Sequence, residues 1–376
     1  MADPTLLRIT SPRNGDILNR HDGLETEDSL LVTVKGSVSG TAEVNVNGVA
    51  ATVAAGEFTC QVPISKRRNT LCAVAKTRNG ECTDEAVVLW DKKSFKRYRF
   101  SIDDNIQWLK DLGSHAEDYF SLFDHWYLAF WQRMHEEYGT KVHMNIYYQT
   151  DAFDLTSMPT KWKDEFQANG DWLHLSFHGL ADKPDRIYRN AYYPQVAADF
   201  DLVMGHIRRF AGNEVTSRAT TIHWAECPKR AIGAVKDRGI DTLIGLYWVS
   251  DGVCTTGYYF DPALCEYVNT RDYYYDPESD LCFVTCDQVV NSFAPEDVVK
   301  QLDAQEASPH TAELIELLIH EQYFREDLRY IAGDQIVSYH QPDVQQKVIN
   351  ALEWVTKRGY EPVFWGEGFC GNPAVV

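Results

Sequence analysis

The sequence predicts two regions of different class: an all-β sandwich over residues 1–95, then an α/β region over 96–376 built on a parallel sheet, open or closed into a barrel. Three observations predict this. Short alternating polar and apolar runs, separated by turn signals, fill the first region. Strand-like and helix-like runs then alternate about eight times in about 280 residues. The 376 residues suffice for two or three domains of about 150 each.

The elements follow in order. Strands are expected at 30–36, 42–48, 58–63, 70–76 and 85–90, the second ending on the hairpin signal Asn47-Gly48. About seven short strands in about 90 residues fit an immunoglobulin-like sandwich. A short basic link, Asp91-Lys92-Lys93-Ser94-Phe95-Lys96, comes next. Beyond it, strands are expected at 97–102, 141–148, 172–177, 219–223, 242–249, 281–285, 314–319 and 361–365. Helices are expected at 124–138, 160–169, 197–210, 228–238, 295–304 and 342–358. Pro228, Pro295 and Pro342 stand where first-turn prolines belong, and Gly239 and Gly359 follow helices as C-caps. The tyrosine-rich segment 258–275 reads as an inserted hairpin, either covering a site or holding its own aromatic cluster.

Composition restricts the function. Hydrophobic residues at 44% and charged residues at 24% argue against disorder. The net charge of -19 opposes nucleic acid and anionic membrane, which require a basic surface. No apolar run approaches the ~18 residues of a membrane span. The charge is uneven: 11 Lys and Arg face 12 Asp and Glu up to residue 95, leaving 25 against 43 for the rest. Aromatic residues reach 12%, which suits stacking on sugars or bases and equally suits core building. The nine cysteines include no CxxC pair and read as mostly reduced core thiols, with Cys60–Cys72 as the disulfide alternative. No basic stretch followed by an apolar one succeeds Met1-Ala2-Asp3-Pro4, so a cytoplasmic location is expected over a secreted one.

Chemistry is sought where parallel strands end. The first strand ends Asp103-Asp104, and a chain that turns there brings both carboxylates to one pocket; one then binds a cation while the other stays free as a base. The competing reading is a helix N-cap. His174 and His178 fall on one face of the third strand. With a nearby carboxylate they make a ligand set for a divalent transition metal. The competing reading is one core histidine and one exposed. His320 ends the buried run 314–319 and is placed as a general acid, unless it is a core histidine. The fourth strand offers His223, Trp224 and Glu226, and Tyr247, Trp248, Trp365 and Glu367 also stand at strand ends.

These residues carry a resemblance. From about residue 97 to the end, the chain resembles the polysaccharide deacetylases of the NodB-homology type, carbohydrate esterase family 4 and its relatives. The resemblance implies a distorted (β/α) barrel and a divalent metal, usually Zn2+. Ser101-Ile102-Asp103-Asp104 matches the family's first motif, making Asp103 the general base and Asp104 a metal ligand. His174 and His178 match the spacing of the His-(Ser/Thr)-x-x-His motif, and Leu318-Ile319-His320 matches the strand ending in the general acid. The segment 357–364 matches the family's C-terminal end. Leu175 departs from the Ser or Thr of the second motif, and Ile222-His223-Trp224-Ala225-Glu226 stands where an Arg-Pro-Pro-Tyr-Gly motif belongs. His223 is then either the partner of Asp103 or a third ligand in place of His174. The first region resembles the Ig-like modules attached to bacterial carbohydrate-active enzymes, through Ile9-Thr10-Ser11-Pro12, Asn14-Gly15, 44–48, 56–58 and 69–71. That likeness favours export, against the cytoplasmic expectation.

The resulting expectation is a metal-dependent hydrolase that removes acetyl groups from an N-acetylhexosamine-containing glycan. His223, Trp224, Glu226, Tyr247, Trp248, Trp365 and Glu367 are the expected sugar contacts. The alternatives are a non-catalytic carbohydrate-binding relative and a metal-independent glycoside hydrolase using Asp103 and Glu226. Gly366 to Gly371 matches GxGxxG, but no helix follows it before Val376, and neither a phosphate loop nor a GxSxG elbow occurs. Cys282 and Cys286 read as core thiols.

Overall fold

The computed structural model describes residues 7–39, 43–77, 80–332 and 334–375. Ala42, at the start of the expected strand 42–48, and the N-terminal tetrapeptide lie outside them. The chain divides into two units: Met1–Phe95 with Tyr273–Cys282 and Asn372–Val376, and Lys96–Asp272 with Phe283–Gly371.

The first unit is a sandwich of two sheets. One contains Leu7–Ser11, Leu30–Val38, Glu57–Ile64 and Thr52–Ala54, with Gly23–Glu25 paired to Leu30–Val38. The other contains Ile17–Leu18, Gly80–Trp90, Arg68–Thr77, Glu43–Val46 and Val49–Ala50. Glu57–Ile64 alternates exposed and buried residues along its whole length, as a strand with one wet face must. The expected turn is present, with Asn47 and Gly48 both at positive φ (48° and 84°). Two segments expected in the α/β region belong here instead. Tyr273 donates its hydroxyl hydrogen to Asp91 at 3.0 Å, and the Tyr275 N–H bonds the Gly15 carbonyl at 2.9 Å. Asn372 Nδ2 donates to Asp91 at 2.7 Å. Tyr273, Tyr274 and Tyr275 are therefore packing residues of the sandwich unit. The rest of the expected hairpin contains a helix, Pro262–Val268.

The second unit is mixed α/β. Strands β1 (Arg97–Asn105), β2 (Val142–Tyr147) and β3 (Leu173–Gly179) lie side by side. On the far side of β1 lies the strand expected at 314–319, here Leu314–His320. All these pairs are parallel. Gln288–Val289 adds beyond Leu314–His320, and Glu361–Pro362 pairs with the start of β1. A second sheet holds β4 (Ala219–Thr220), β5 (Thr242–Gly245) and β6 (Leu281–Thr285), which makes Leu314–His320 strand β7. The strands follow chain order from β1 to β3 and from β4 to β6. The ladders that carry β1 to β7 among the described residues fall in two sheets, a mixed α/β arrangement in which closure into the expected distorted barrel is not seen as one continuous ladder. The cause is length: β4 has two residues and β5 four, too few to bond both neighbours throughout. A lone bridge, Leu175 to Thr216, stands between β3 and the chain leading to β4.

Strands β2 and β3 are buried over their full length, and β1 over all but one residue. This is the signature of parallel strands covered on both faces. Helix boundaries moved by a few residues. Pro295 does open its helix, whereas Pro228 is an N-cap and Pro342 precedes the cap of Val344–Lys357.

The ends of β1 and β7 are tied together by one carboxylate. Helix α1 (Gln107–Ser114) follows β1, and no side chain caps its start at Ile106. Glu321, directly after β7, accepts instead from the N–H groups of Ile106, Gln107 and Trp108 at 2.8, 2.9 and 2.6 Å. Three orphan donors of a helix start are thereby satisfied from another strand. Truncation by Glu321→Ala leaves them buried and unbonded, a loss of about 2–3 kcal/mol. The thermal unfolding midpoint should fall accordingly, and an unchanged midpoint would refute this account of the helix start.

Candidate active site

The alternation of β1 breaks at its end. Three steps along β1, from Ile102 to Asn105, face two along β2, from Met144 to Ile146. Within that bulge Asp104 takes a left-handed backbone, φ 63°. Both Asp103 and Asp104 therefore line one cavity of about 380 Å³, with His178, His223 and His320. In register, Asp103 stands opposite His320.

Asp104, His178 and His223 each offer a ligand atom, all within 4.8 Å of one another. His178 Nδ1 bonds the Thr221 carbonyl at 2.6 Å, so it carries the proton. Its Nε2 lies 3.2 Å from Asp104 Oδ1. Backbone anchoring of the second ring nitrogen is the usual support of a histidine ligand. His223 is buried, and its Nδ1 makes no hydrogen bond. Burial, aided by the charge of His178, lowers its pKa to about 3, so this imidazole is neutral. Burial raises Asp104, but the His178 hydrogen bond and the nearby His320 and His178 outweigh it and hold the carboxyl well below its usual range. Tyr147 donates to Asp104 Oδ1 at 2.7 Å and Gln322 to Oδ2 at 2.8 Å.

Asp103 differs. Burial and the charge of Asp104 raise its pKa against the opposing pull of His178, His320 and Asn145. Asn145 Nδ2 donates to Asp103 Oδ1 at 2.6 Å. The Asn145 carbonyl in turn accepts from Ser176 Oγ at 2.9 Å and Thr220 Oγ1 at 3.2 Å, which fixes the amide's orientation. His223, expected as either partner of Asp103 or third ligand, stands with Asp104 and His178, and Asn145 partners Asp103. His320 Nδ1 bonds Asn291 Oδ1 at 3.0 Å.

Several expected site residues lie elsewhere. His174 is stacked on Phe364, ring centroids 3.6 Å apart, and stands level with His143 on β2. Four residues along a strand span about 13 Å, so a shared face did not bring His174 to the end of β3 that holds His178. Trp365 is buried, with Nε1 bonded to Glu316 at 2.6 Å. Glu367 pairs with Lys141, before the start of β2, at 3.0 Å. The final strand ends after Pro362, level with the start of β1, so these two residues never reach the functional edge. Tyr247 is buried against Phe260, and Glu226 is paired with Arg186; neither lines the cavity. Asp103 and Glu226, the example pair of the glycoside hydrolase alternative, therefore do not line one cavity. Trp224 and Trp248 do line the cavity and are 39% and 52% exposed.

The residues missed by sequence reasoning are Asn145, Tyr147, Asn291 and Gln322. Asn145 and Tyr147 lie toward the end of β2, where the strand-end rule applies, but neither is a charged group that draws attention. Gln322 follows the His320-Glu321 pair directly.

No protein-family model matches the chain, and no curated protein matches its sequence. Solved structures give only local likenesses. A modular endo-beta-1,4-mannanase from Cellulomonas fimi is 22% identical over 23% of this chain and 18% of its own, with a TM-score of 0.17. The beta-glucuronidase of Bacteroides uniformis is 15% identical over 26% and 12%, with a TM-score of 0.20. The titin domains z1z2 in complex with telethonin are 11% identical over 27% and 58%, with a TM-score of 0.18. The chain spans less than a fifth of the two enzymes. Likenesses at this level carry no argument, and the functional reading rests on the site. Among the described residues, no helix is long and apolar enough to cross a membrane.

The segment beyond Trp248 contains a disulfide, Cys254–Cys265; the other seven cysteines are free, in line with mostly reduced thiols, and the alternative pair Cys60–Cys72 is not formed. Alkylation of the denatured, unreduced protein should modify the seven cysteines Cys60, Cys72, Cys82, Cys227, Cys282, Cys286 and Cys370. Mass spectrometry should show Cys254 and Cys265 joining them only after reduction; their alkylation without reductant would refute the pairing.

Proposed function

We propose that the chain is a metal-dependent hydrolase that removes acetyl groups from a carbohydrate, a divergent relative of the NodB-type deacetylases with a barrel-like catalytic unit. The observation that carries the reading is the convergence of Asp104, His178 and His223 beside a separate carboxylate, Asp103, and a separate imidazole, His320. Two imidazoles, of which His223 is neutral, and one carboxylate with room for water fit Zn2+ or a similar ion. When bound, such an ion supplies Lewis acidity toward a carbonyl oxygen and lowers the pKa of water.

The chain's own residues divide the remaining work. Asp103, held by Asn145, takes the proton of the attacking water. A carboxylate with a raised pKa is a stronger base than an ordinary one, so its buried setting serves that task. His320, oriented through Nδ1 by Asn291, delivers a proton to the leaving nitrogen, or to oxygen if the substrate is an ester. Tyr147 and Gln322 hold the Asp104 carboxylate in place. Trp224 and Trp248 present exposed ring faces to a sugar.

Two measurements test this. Purified protein reconstituted with Zn2+ should retain about one equivalent, and His174→Ala should retain it too, whereas His223→Ala and Asp104→Asn should lose it. Equal loss in His174→Ala, or retention in His223→Ala, would contradict the ligand set. Acetate release from N-acetylhexosamine oligomers should be abolished by a chelator and fall about 10²–10⁴-fold in Asp103→Asn and His320→Ala. Sugar-chain cleavage that persists in chelator would point to a glycosidase instead.

A further inference from the structure

One wall of the reaction chamber is built unlike the rest. Trp224 and Trp248 line it, and the backbone at both is irregular. Trp224 and Ala225 take left-handed conformations, φ 63° and 47°, and so does Tyr247, next to Trp248, at 47°. Non-glycine residues keep such conformations only where their surroundings over-determine them. What holds them lies outside the chamber.

Arg186, in the loop after β3, lies over the Trp224 ring, its guanidinium carbon 4.2 Å from the ring centroid. A cation seated on an aromatic face is attracted to it, and it leaves the opposite face for the chamber. Arg186 itself does not line the chamber. Its Nη1 donates to Glu226 Oε1 and to the Thr255 carbonyl, the latter at 2.9 Å. Glu226 is 8% exposed, and its Oε2 has no hydrogen-bond partner among the described residues. A carboxylate this deep requires its counter-ion in place. Arg189, the other cation beside it, stands off at 3.9 Å and is mostly exposed. A buried charge therefore fixes the guanidinium, and the guanidinium fixes the ring.

The second tie runs through the disulfide-closed segment. Thr255, which accepts from Arg186, directly follows Cys254, and Cys254 is joined to Cys265. The Thr255 N–H bonds the Trp248 carbonyl at 2.9 Å, and the Trp248 N–H donates to Thr256 Oγ1 at 3.3 Å. The Ala225 carbonyl accepts from the N–H groups of Gly257, at 3.2 Å, and Tyr258. Both chamber tryptophans are thus anchored on the stretch 255–258, inside a covalently closed loop.

We propose that Arg186 is a positioning residue of this site: it holds the Trp224 ring as a substrate-facing wall of the chamber, with the Cys254–Cys265 loop as its support. The assignment rests on the deacetylase reading for the identity of the substrate, and on the geometry for the placement of the ring. Trp224 meets the sugar and not the scissile bond, so loss of Arg186 weakens binding and spares the chemical step.

Two readouts on the full, Zn2+-loaded chain test this. The fluorescence of Trp224 is isolated as the difference between each protein and its Trp224→Phe counterpart. Acrylamide should quench it about twofold more strongly in Arg186→Met, and in the double variant Cys254→Ser/Cys265→Ser, because the covered ring face is released. Arg186→Lys, which keeps the cation, should recover part of the protection. In acetate release from an N-acetylglucosamine tetramer, Arg186→Met should raise KM about tenfold with kcat nearly unchanged, the mark of lost binding. It should retain its Zn2+. Combined with the cysteine changes it should add less than the product of the separate effects, since both act on one contact. Unchanged quenching in both variants, a fall in kcat at constant KM, or loss of Zn2+, which would place the effect on His223, would each overturn the assignment. Shifted quenching in a protein that releases no acetate keeps Arg186 in its role and sinks the deacetylase reading. Acetate release with quenching and KM unmoved does the reverse.

Discussion

The site depends on one backbone constraint, the left-handed turn at Asp104 inside the bulge of β1. An extended chain would point Asp103 and Asp104 to opposite faces of the sheet, one toward the chamber and one toward the helices. A non-glycine residue at φ 63° costs of order 1–3 kcal/mol and persists only where its surroundings over-determine it. They do so here from three directions. Tyr147 from β2, His178 from β3 and Gln322 after β7 all bond the Asp104 carboxylate. Glu321, next to Gln322, fixes the chain immediately downstream by holding the start of α1. The three strands and the helix thus converge on a single residue whose conformation no isolated strand would adopt.

Beneath that turn lies a buried polar layer. Arg99 and Glu316 form a fully buried bidentate pair between β1 and β7, at 2.8 and 2.9 Å. Such a pair is tolerable only when its remaining groups are bonded. Ser101 and Trp365 complete Glu316, and His143 takes the remaining arm of Arg99. The network continues from His143 through Ser176 to the Asn145 amide, and so to Asp103. The same chain of bonds that satisfies a costly core charge therefore orients the proposed base. The group that holds Asp103 is thus an amide, locked by hydroxyls from β3 and β4.

How far the sequence reveals such a site follows from which physical rule each residue obeys. Asp103, Asp104, His178 and His320 are ionisable groups at the ends of apolar runs, a pattern visible without coordinates. His174 shares a face with His178, but face and height are separate coordinates, and strand rise places it at the level of Ser101 and His143. Trp365 and Glu367 follow a run that looks like a strand, yet its ladder stops after two residues, so strand-end reasoning had no strand end to act on. Whether the sheet is open or closed was not legible for a related reason, because apolar runs announce strands without fixing how many residues each contributes to a ladder. Asn145 and Gln322 were hidden by being uncharged. Their importance arises from what they touch, and contacts between residues 42 and 218 positions apart leave no local trace. The sandwich was legible at its Asn47-Gly48 turn and strand spacing. The later segments that belong to its unit were not, since tyrosines at 273–275 read equally well as a lid.

Two adjacent aspartates in one chamber could have been redundant, and their environments show why they are not. Asp104 is surrounded by donors, the His178 hydrogen bond foremost, which favour its ionised form; Asp103 has one amide donor, deep burial and the charge of its neighbour, all but the first favouring the proton. Divergent proton affinities in a pair of like groups are how a single site separates a charge-holding role from a proton-accepting one. The division does not come from the residues themselves, which are identical. It comes from the bulge, which turns one side chain toward Tyr147, His178 and Gln322 and the other toward Asn145, so that the backbone irregularity of β1 is also the source of the site's chemical asymmetry.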